Sequence, residues 1–259
     1  MHIVLLICAL AMPVVAFFAQ RGAFGPDNGT ISDRYPTLLV AEGYAFAIWS
    51  LIFTLALVFA VWQTLPRQRG NPLLAQIRAP VSWAYAMTTA WMVVFPMQWF
   101  WLALVLIWAT LAALLFALLA LVRSPAGNVL PRWALGLHAG WMSLAVILNT
   151  AQVIVAYRLL STEQMLPWTL LLWALAGGLL WWANTRQRAH PAYVLAALWG
   201  LLGVVVKQSA SPLNGAATSA SVAAALALLL AAHSVRTWRQ HGSRARAANT
   251  PQAERQARQ

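Results

Sequence analysis

Long apolar runs broken by short polar connections set the pattern of this chain from end to end. Eight runs, at residues 3–18, 44–63, 80–96, 100–122, 133–157, 165–183, 192–206 and 216–235, have the character of membrane spans. A helix needs about 20 mostly apolar residues to cross roughly 30 Å of hydrocarbon. The pattern predicts an all-α integral membrane protein, an eight-helix transmembrane bundle. Only Met97, Gln98 and Trp99 join the third and fourth runs, so these two form a tight helical hairpin.

Three runs carry polar residues at helical spacing. In the fifth, His138, Trp141, Ala145, Asn149 and Gln152 follow steps of 3, 4, 4 and 3. At about 100° per residue these stay within an arc of about 80°. In the second, Glu42, Trp49, Ala56 and Gln63 recur every seven residues, and in the third Thr88, Trp91, Phe95 and Gln98 share one stripe. Lipid offers a polar group no partner, so such stripes must turn inward to other helices or to a cavity. Interhelical hydrogen bonds and a ligand pocket both satisfy them, and the spacing alone does not choose.

Charge adds the orientation. The connections after runs two, four and six and the tail hold thirteen of the 17 Lys and Arg residues, while Arg21, Arg34, Arg158 and Lys207 fall on the other side. The positive-inside rule then puts both termini in the cytoplasm. Asp27, Asp33, Glu42 and Glu163, four of the five acids, lie on the outer side. The stretch before the first run is only Met1 and His2, without Lys or Arg, so the run reads as an anchor and not as a cleaved leader. The basic residues from Arg236 onward read as a disordered cytoplasmic tail.

Composition agrees. With 61% hydrophobic residues, 8% charged and a mean hydropathy of +0.68, the chain has too little polar surface to cover a water-exposed particle. Soluble domains carry about 25% charge. The net charge of +12 does not point to nucleic acid, because the charges sit between apolar blocks with no soluble domain to gather them. Arg outnumbers Lys sixteen to one, which looks like a GC-rich bacterial genome, and the expected location is a bacterial inner membrane. Cys8 is a lone thiol in an apolar run.

Of the fifteen tryptophans, Trp62, Trp99, Trp101, Trp133, Trp168, Trp181, Trp182 and Trp238 sit at run ends, where the interfacial belt explains them. Trp49, Trp91, Trp108, Trp141, Trp173 and Trp199 lie deeper. No carboxylate pair, metal-binding cluster or phosphate loop occurs within the runs, so neither a catalytic set nor a metal site is expected. His138, His190 and His233 read as residues near the cytoplasmic ends of their runs, with haem ligation the sharper alternative. Lys207 pairs with Glu42 or Glu163, or snorkels to the outer surface. Asn28-Gly29-Thr30 reads as a plain outer loop. Runs two and six end alike, at Trp62-Gln63-Thr64 and Trp182-Ala183-Asn184-Thr185, as a four-plus-four repeat would require.

The segments Ile31-Ser32-Asp33-Arg34-Tyr35-Pro36 and Gly43-Tyr44-Ala45-Phe46-Ala47-Ile48-Trp49, with Trp91, Gly140-Trp141, Ala145 and Asn149, resemble the TspO/MBR tryptophan-rich sensory proteins. The resemblance is closer to a longer branch, through Ala192-Tyr193, Trp199-Gly200 and Val206-Lys207-Gln208. It implies a five-helix module over residues 1–157 and three appended helices over 158–236, followed by the tail at 237–259. It also implies an aromatic pocket for porphyrin-like or sterol-like ligands, carried onto Trp49, Trp91, Trp141 and Asn149. Two departures stand out: short-form relatives have a Trp- and Pro-rich approach to run two where this chain reads Val40-Ala41-Glu42-Gly43, and the appended helices could cover or replace the pocket.

The leading expectation is a non-enzymatic sensory or regulatory protein that binds a small hydrophobic or amphipathic ligand, a tetrapyrrole being the cofactor-like candidate. A small-solute transporter is the second reading and a porphyrin-modifying enzyme the third. The expected partners are the lipid bilayer and the small ligand, with self-association into a homo-oligomer left open.

Overall fold

The computed structural model describes residues 1–124 and 129–256, with side chains described as far as Gln240. It is helical throughout. Helix α1 spans His2–Gln20, α2 Asn28–Arg34, α3 Ile48–Trp62 with a 3-10 turn Gly43–Ala47 before it, and α4 Pro66–Arg69. Then come α5 Pro72–Val94, α6 Phe100–Arg123, α7 Val129–Ala156, α8 Leu166–Arg186, α9 Pro191–Ser209 and α10 Ala216–Gln256.

Seven of these, counting Gly43–Trp62 as one and α10 as far as Gln240, are long and apolar enough to cross a membrane. The eighth expected span is α5, which falls short of that apolarity. It begins eight residues before the expected start at Pro80, and the added turns bring Gln76 and Arg78 into the helix. At 23 residues it is still about 34 Å long at 1.5 Å per residue. Arg78, expected in a polar connection, is buried. Its Nε donates to Gln63 Oε1 at 2.9 Å and its Nη2 to the carbonyl of Gln68 at 2.9 Å. Gln63 in turn donates to the carbonyl of His2 at 2.8 Å. This chain of bonds ties α5, α3 and α1 together at one end of the bundle, which is why a guanidinium is tolerated there.

The most buried helix is α7, packed against α3, α6, α8 and α9. On α1, Leu5, Ala9 and Met12 form a narrow inward stripe, while Ile3, Ile7, Leu10, Val14 and Phe17 face outward. That inside-out distribution suits lipid as the solvent. The hairpin at residues 97–99 is as expected, with Gln98 at φ 62° and Trp99 N donating to the Val94 carbonyl at 3.1 Å.

Helix α10 runs to Gln256, in keeping with the helix-forming Ala, Arg and Gln of its last turns. One further expectation changes. His138 is fully buried in α7 and not at an interface, with its Nε2 3.4 Å from Thr88 Oγ1 and its ring against Tyr85 and Trp49.

Candidate functional site

The three polar stripes converge. Trp49 on α3 lies parallel to Trp91 on α5, with centroids 6.4 Å apart and planes at 25°, and meets Trp141 on α7 edge to face at 6.3 Å and 79°. Trp91 Nε1 donates to Asn149 Oδ1 at 3.0 Å, and Asn149 Nδ2 donates to the Ala145 carbonyl at 3.1 Å. The four candidate residues therefore form one contiguous cluster, each nine-tenths buried or more. From the same stripes, Gln152 donates to the Ile31 carbonyl at 3.4 Å, and Gln98 accepts from the Tyr35 hydroxyl at 2.9 Å. Glu42 leaves its stripe: it caps the 3-10 turn by accepting from Gly43 N.

Two cavities adjoin the cluster and share Asn28, Phe46, Trp49 and Trp91 in their walls. The larger, of about 250 Å³, lies between the end of α1 (Ala16, Ala19, Gln20), the start of α2 and the facing parts of α3 and α5. The inner one, of about 40 Å³, reaches Trp141, Asn149 and Gln152 on α7. Their combined space lies at the lower end of the roughly 300–1,000 Å³ of sites that take drug-sized ligands.

Sequence reasoning missed part of this wall. Phe46 and Phe53 lie at −3 and +4 from Trp49, the spacing that puts them on its face, and that signal was available. Asn28, read as a plain loop residue, is the first residue of α2 and lines both cavities, which no local pattern announces.

The approach to Trp49 is an irregular segment, residues 37–47, with Thr37, Leu38, Leu39, Ala41 and Ala45 buried. Backbone of this kind survives at membrane depth only when protein satisfies its polar groups. Here α9 and α10 do so. Gln208 Nε2 donates to the carbonyls of Thr37 and Val40 at 3.2 and 3.3 Å, and Trp199 Nε1 to that of Ala45 at 2.9 Å. Ser219 Oγ donates to the Leu38 carbonyl and accepts from Trp173 Nε1 at 2.8 Å. In the other direction, Glu42 N donates to the Gly203 carbonyl at 2.9 Å. Glycine is needed there: a Cβ on residue 203 would stand 2.8 Å from that of Ala45. Lys207 pairs with Asp33 at 3.5 Å, not with Glu42 or Glu163. The appended helices thus brace the approach from behind, and among the described residues none after Gln152 lines either cavity.

The tryptophans divide much as expected. Trp99, Trp101, Trp181 and Trp182 are exposed near helix ends and Trp238 is exposed within α10, whereas Trp168 is buried and donates to the Ser161 carbonyl at 2.9 Å. Outside the spans, His190 precedes α9 without a side-chain capping bond, and burial followed by the nearby Arg132 charge lowers its pKa to about 4.

Neither a curated protein nor a solved structure matches the chain. A family model described as TSPO-like protein matches residues 2–234, nearly the whole helical bundle and every residue of the tryptophan cluster. The chain therefore belongs to the TSPO-like family of multi-pass membrane proteins.

Proposed function

We propose that this protein binds a small hydrophobic or amphipathic molecule between α1, α3, α5 and α7 and serves a sensory or regulatory role without transforming its ligand. One observation carries the reading: Trp49 joins the two cavities and touches both Trp91 and Trp141. Family membership supports a ligand-binding role in the membrane. The small cavity volume favours a ligand of one or two rings over an entire tetrapyrrole.

In this reading α5 is the third of eight crossings, its one charge held by Gln63 and backbone carbonyls at the cytoplasmic end. Both termini are then cytoplasmic, in a bacterial inner membrane, an orientation that the distribution of Arg supports. The cavities open toward the outer side, where α1 ends and α2 begins.

The test is a tryptophan-fluorescence titration of the detergent-purified protein with small flat aromatic compounds and with protoporphyrin and haemin. The expected result is saturable binding of a small compound that disappears in Trp49→Ala. Binding that survives in both Trp49→Ala and Trp141→Ala would place the ligand elsewhere and refute the assignment.

A further inference from the structure

The charge on the cavity walls runs against that of the chain. The protein has 17 Lys and Arg residues against five acids, yet among the described residues no Lys or Arg lines either cavity. The charged side chain on the wall is Asp27. Its oxygens accept from Thr30 N at 3.0 Å and Thr30 Oγ1 at 2.7 Å. These bonds, the hydroxyl's first, hold its carboxyl below the usual carboxylate range, so it is ionised at neutral pH.

The rings of Phe46, Trp49, Phe53 and Trp91 line the same cavity. An aromatic face attracts a cation lying within about 6 Å of its centroid and repels an anion. A carboxylate at the rim of such a cluster strengthens that preference.

The inner cavity also leaves one indole donor unmet, which an acceptor on the apolar body of an occupant would satisfy. Trp141 is buried, lines the inner cavity, and its Nε1 has no hydrogen-bond partner. The Cε3–Cζ3 edge of its ring faces Gly200, so the Nε1 edge is turned away from α9.

Resting on the reading that these cavities are a ligand site, we infer that the ligand is a small amphipathic organic cation. It is a protonated or quaternary amine on a flat apolar body, with its charge between Asp27 and the ring faces. A tetrapyrrole dicarboxylate fits the wall poorly, because its two carboxylates would meet no cationic partner there.

Four probes test this by tryptophan quenching in detergent: benzyltrimethylammonium, its uncharged isostere neopentylbenzene, benzoate and protoporphyrin. The cation should bind saturably and about tenfold more tightly than the isostere. Asp27→Asn keeps a capping oxygen at the start of α2. It should weaken the cation by about threefold to tenfold and leave the isostere unchanged, which also shows that the variant is folded. Because Asp27 is exposed, added salt should shrink the preference.

The inference is overturned if the isostere binds as tightly as the cation, if Asp27→Asn leaves the cation's affinity unchanged, or if benzoate or protoporphyrin binds more tightly. Should Trp49→Ala still abolish the binding in those cases, the ligand site stands and only its charge preference falls. Absence of saturable binding by all four probes overturns both.

Discussion

Replacing Gly140 with alanine tests the packing that holds the candidate site together. A Cβ on residue 140 would lie 2.3 Å from the carbonyl oxygen of Tyr193 and 3.0 Å from the Ala196 Cβ. The carbonyl belongs to the backbone of α9 and cannot rotate away. Carbon and oxygen in close contact sit about 3.3–3.6 Å apart, so α7 and α9 must separate by about 1 Å. Overpacking of this kind costs roughly 1–3 kcal/mol. The same exchange also removes a helix-interior glycine, worth about 1 kcal/mol in the opposite direction.

Gly178→Ala isolates that second effect, because nothing lies within 4 Å of its added Cβ. The two variants should therefore differ by roughly 1–3 kcal/mol, with Gly178→Ala at or above the parent protein. At about 2–4 °C per kcal/mol for a chain of this size, the midpoint of Gly140→Ala should lie about 2–12 °C below that of Gly178→Ala. Thermal unfolding in one detergent reads both. A Gly140→Ala midpoint equal to or above that of Gly178→Ala would refute the close approach of α7 and α9.

Three more expectations follow from particular contacts. Gln208→Leu removes the donor to the Thr37 and Val40 carbonyls, and interhelical bonds in membranes average about 0.6 kcal/mol with maxima near 1.7; amide exchange should quicken by about threefold to twentyfold over residues 37–47, and unchanged protection there would show that α9 does not brace them. In a Cys8→Ser background, Arg21→Cys and Glu163→Cys should react with an impermeant maleimide from the same face; labelling from opposite faces would mean that α5 does not cross. His190 has a pKa lowered to about 4, so the folded protein binds fewer protons than the unfolded chain between about pH 4 and the ordinary histidine value near 6.5. Stability is then complete above pH 6.5 and falls as the pH drops toward 4, and His190→Gln should reduce that fall in thermal melts at pH 7.5 and 5.

Where the sequence reading went astray, the cause was physical. Arg78 was placed in a polar connection because a guanidinium usually stays in water; it enters α5 because Gln63 and the Gln68 carbonyl meet it. Lys207 had four acids on its own side, and only the fold puts Asp33 within 3.5 Å. The segment 37–47 has no hydrophobic period, since its shape depends on donors more than 150 residues further along the chain.

The sequence by itself determined the class of solvent, the helical runs and the inward faces of the second, third and fifth spans. These are local consequences of what lipid can and cannot satisfy, written at intervals of three and four residues. That is why Trp49, Trp91, Trp141 and Asn149 could be named from spacing and resemblance. Only the tertiary structure decided that Trp91 donates to Asn149 across 58 residues of chain, that the cavities open between α1, α3 and α5, and that α9 and α10 brace the approach without entering the walls. Periodicity states which face of a helix turns inward, but which faces meet is set by packing, where close approach at Gly140 and Gly203 and the pairing of buried backbone groups select one arrangement.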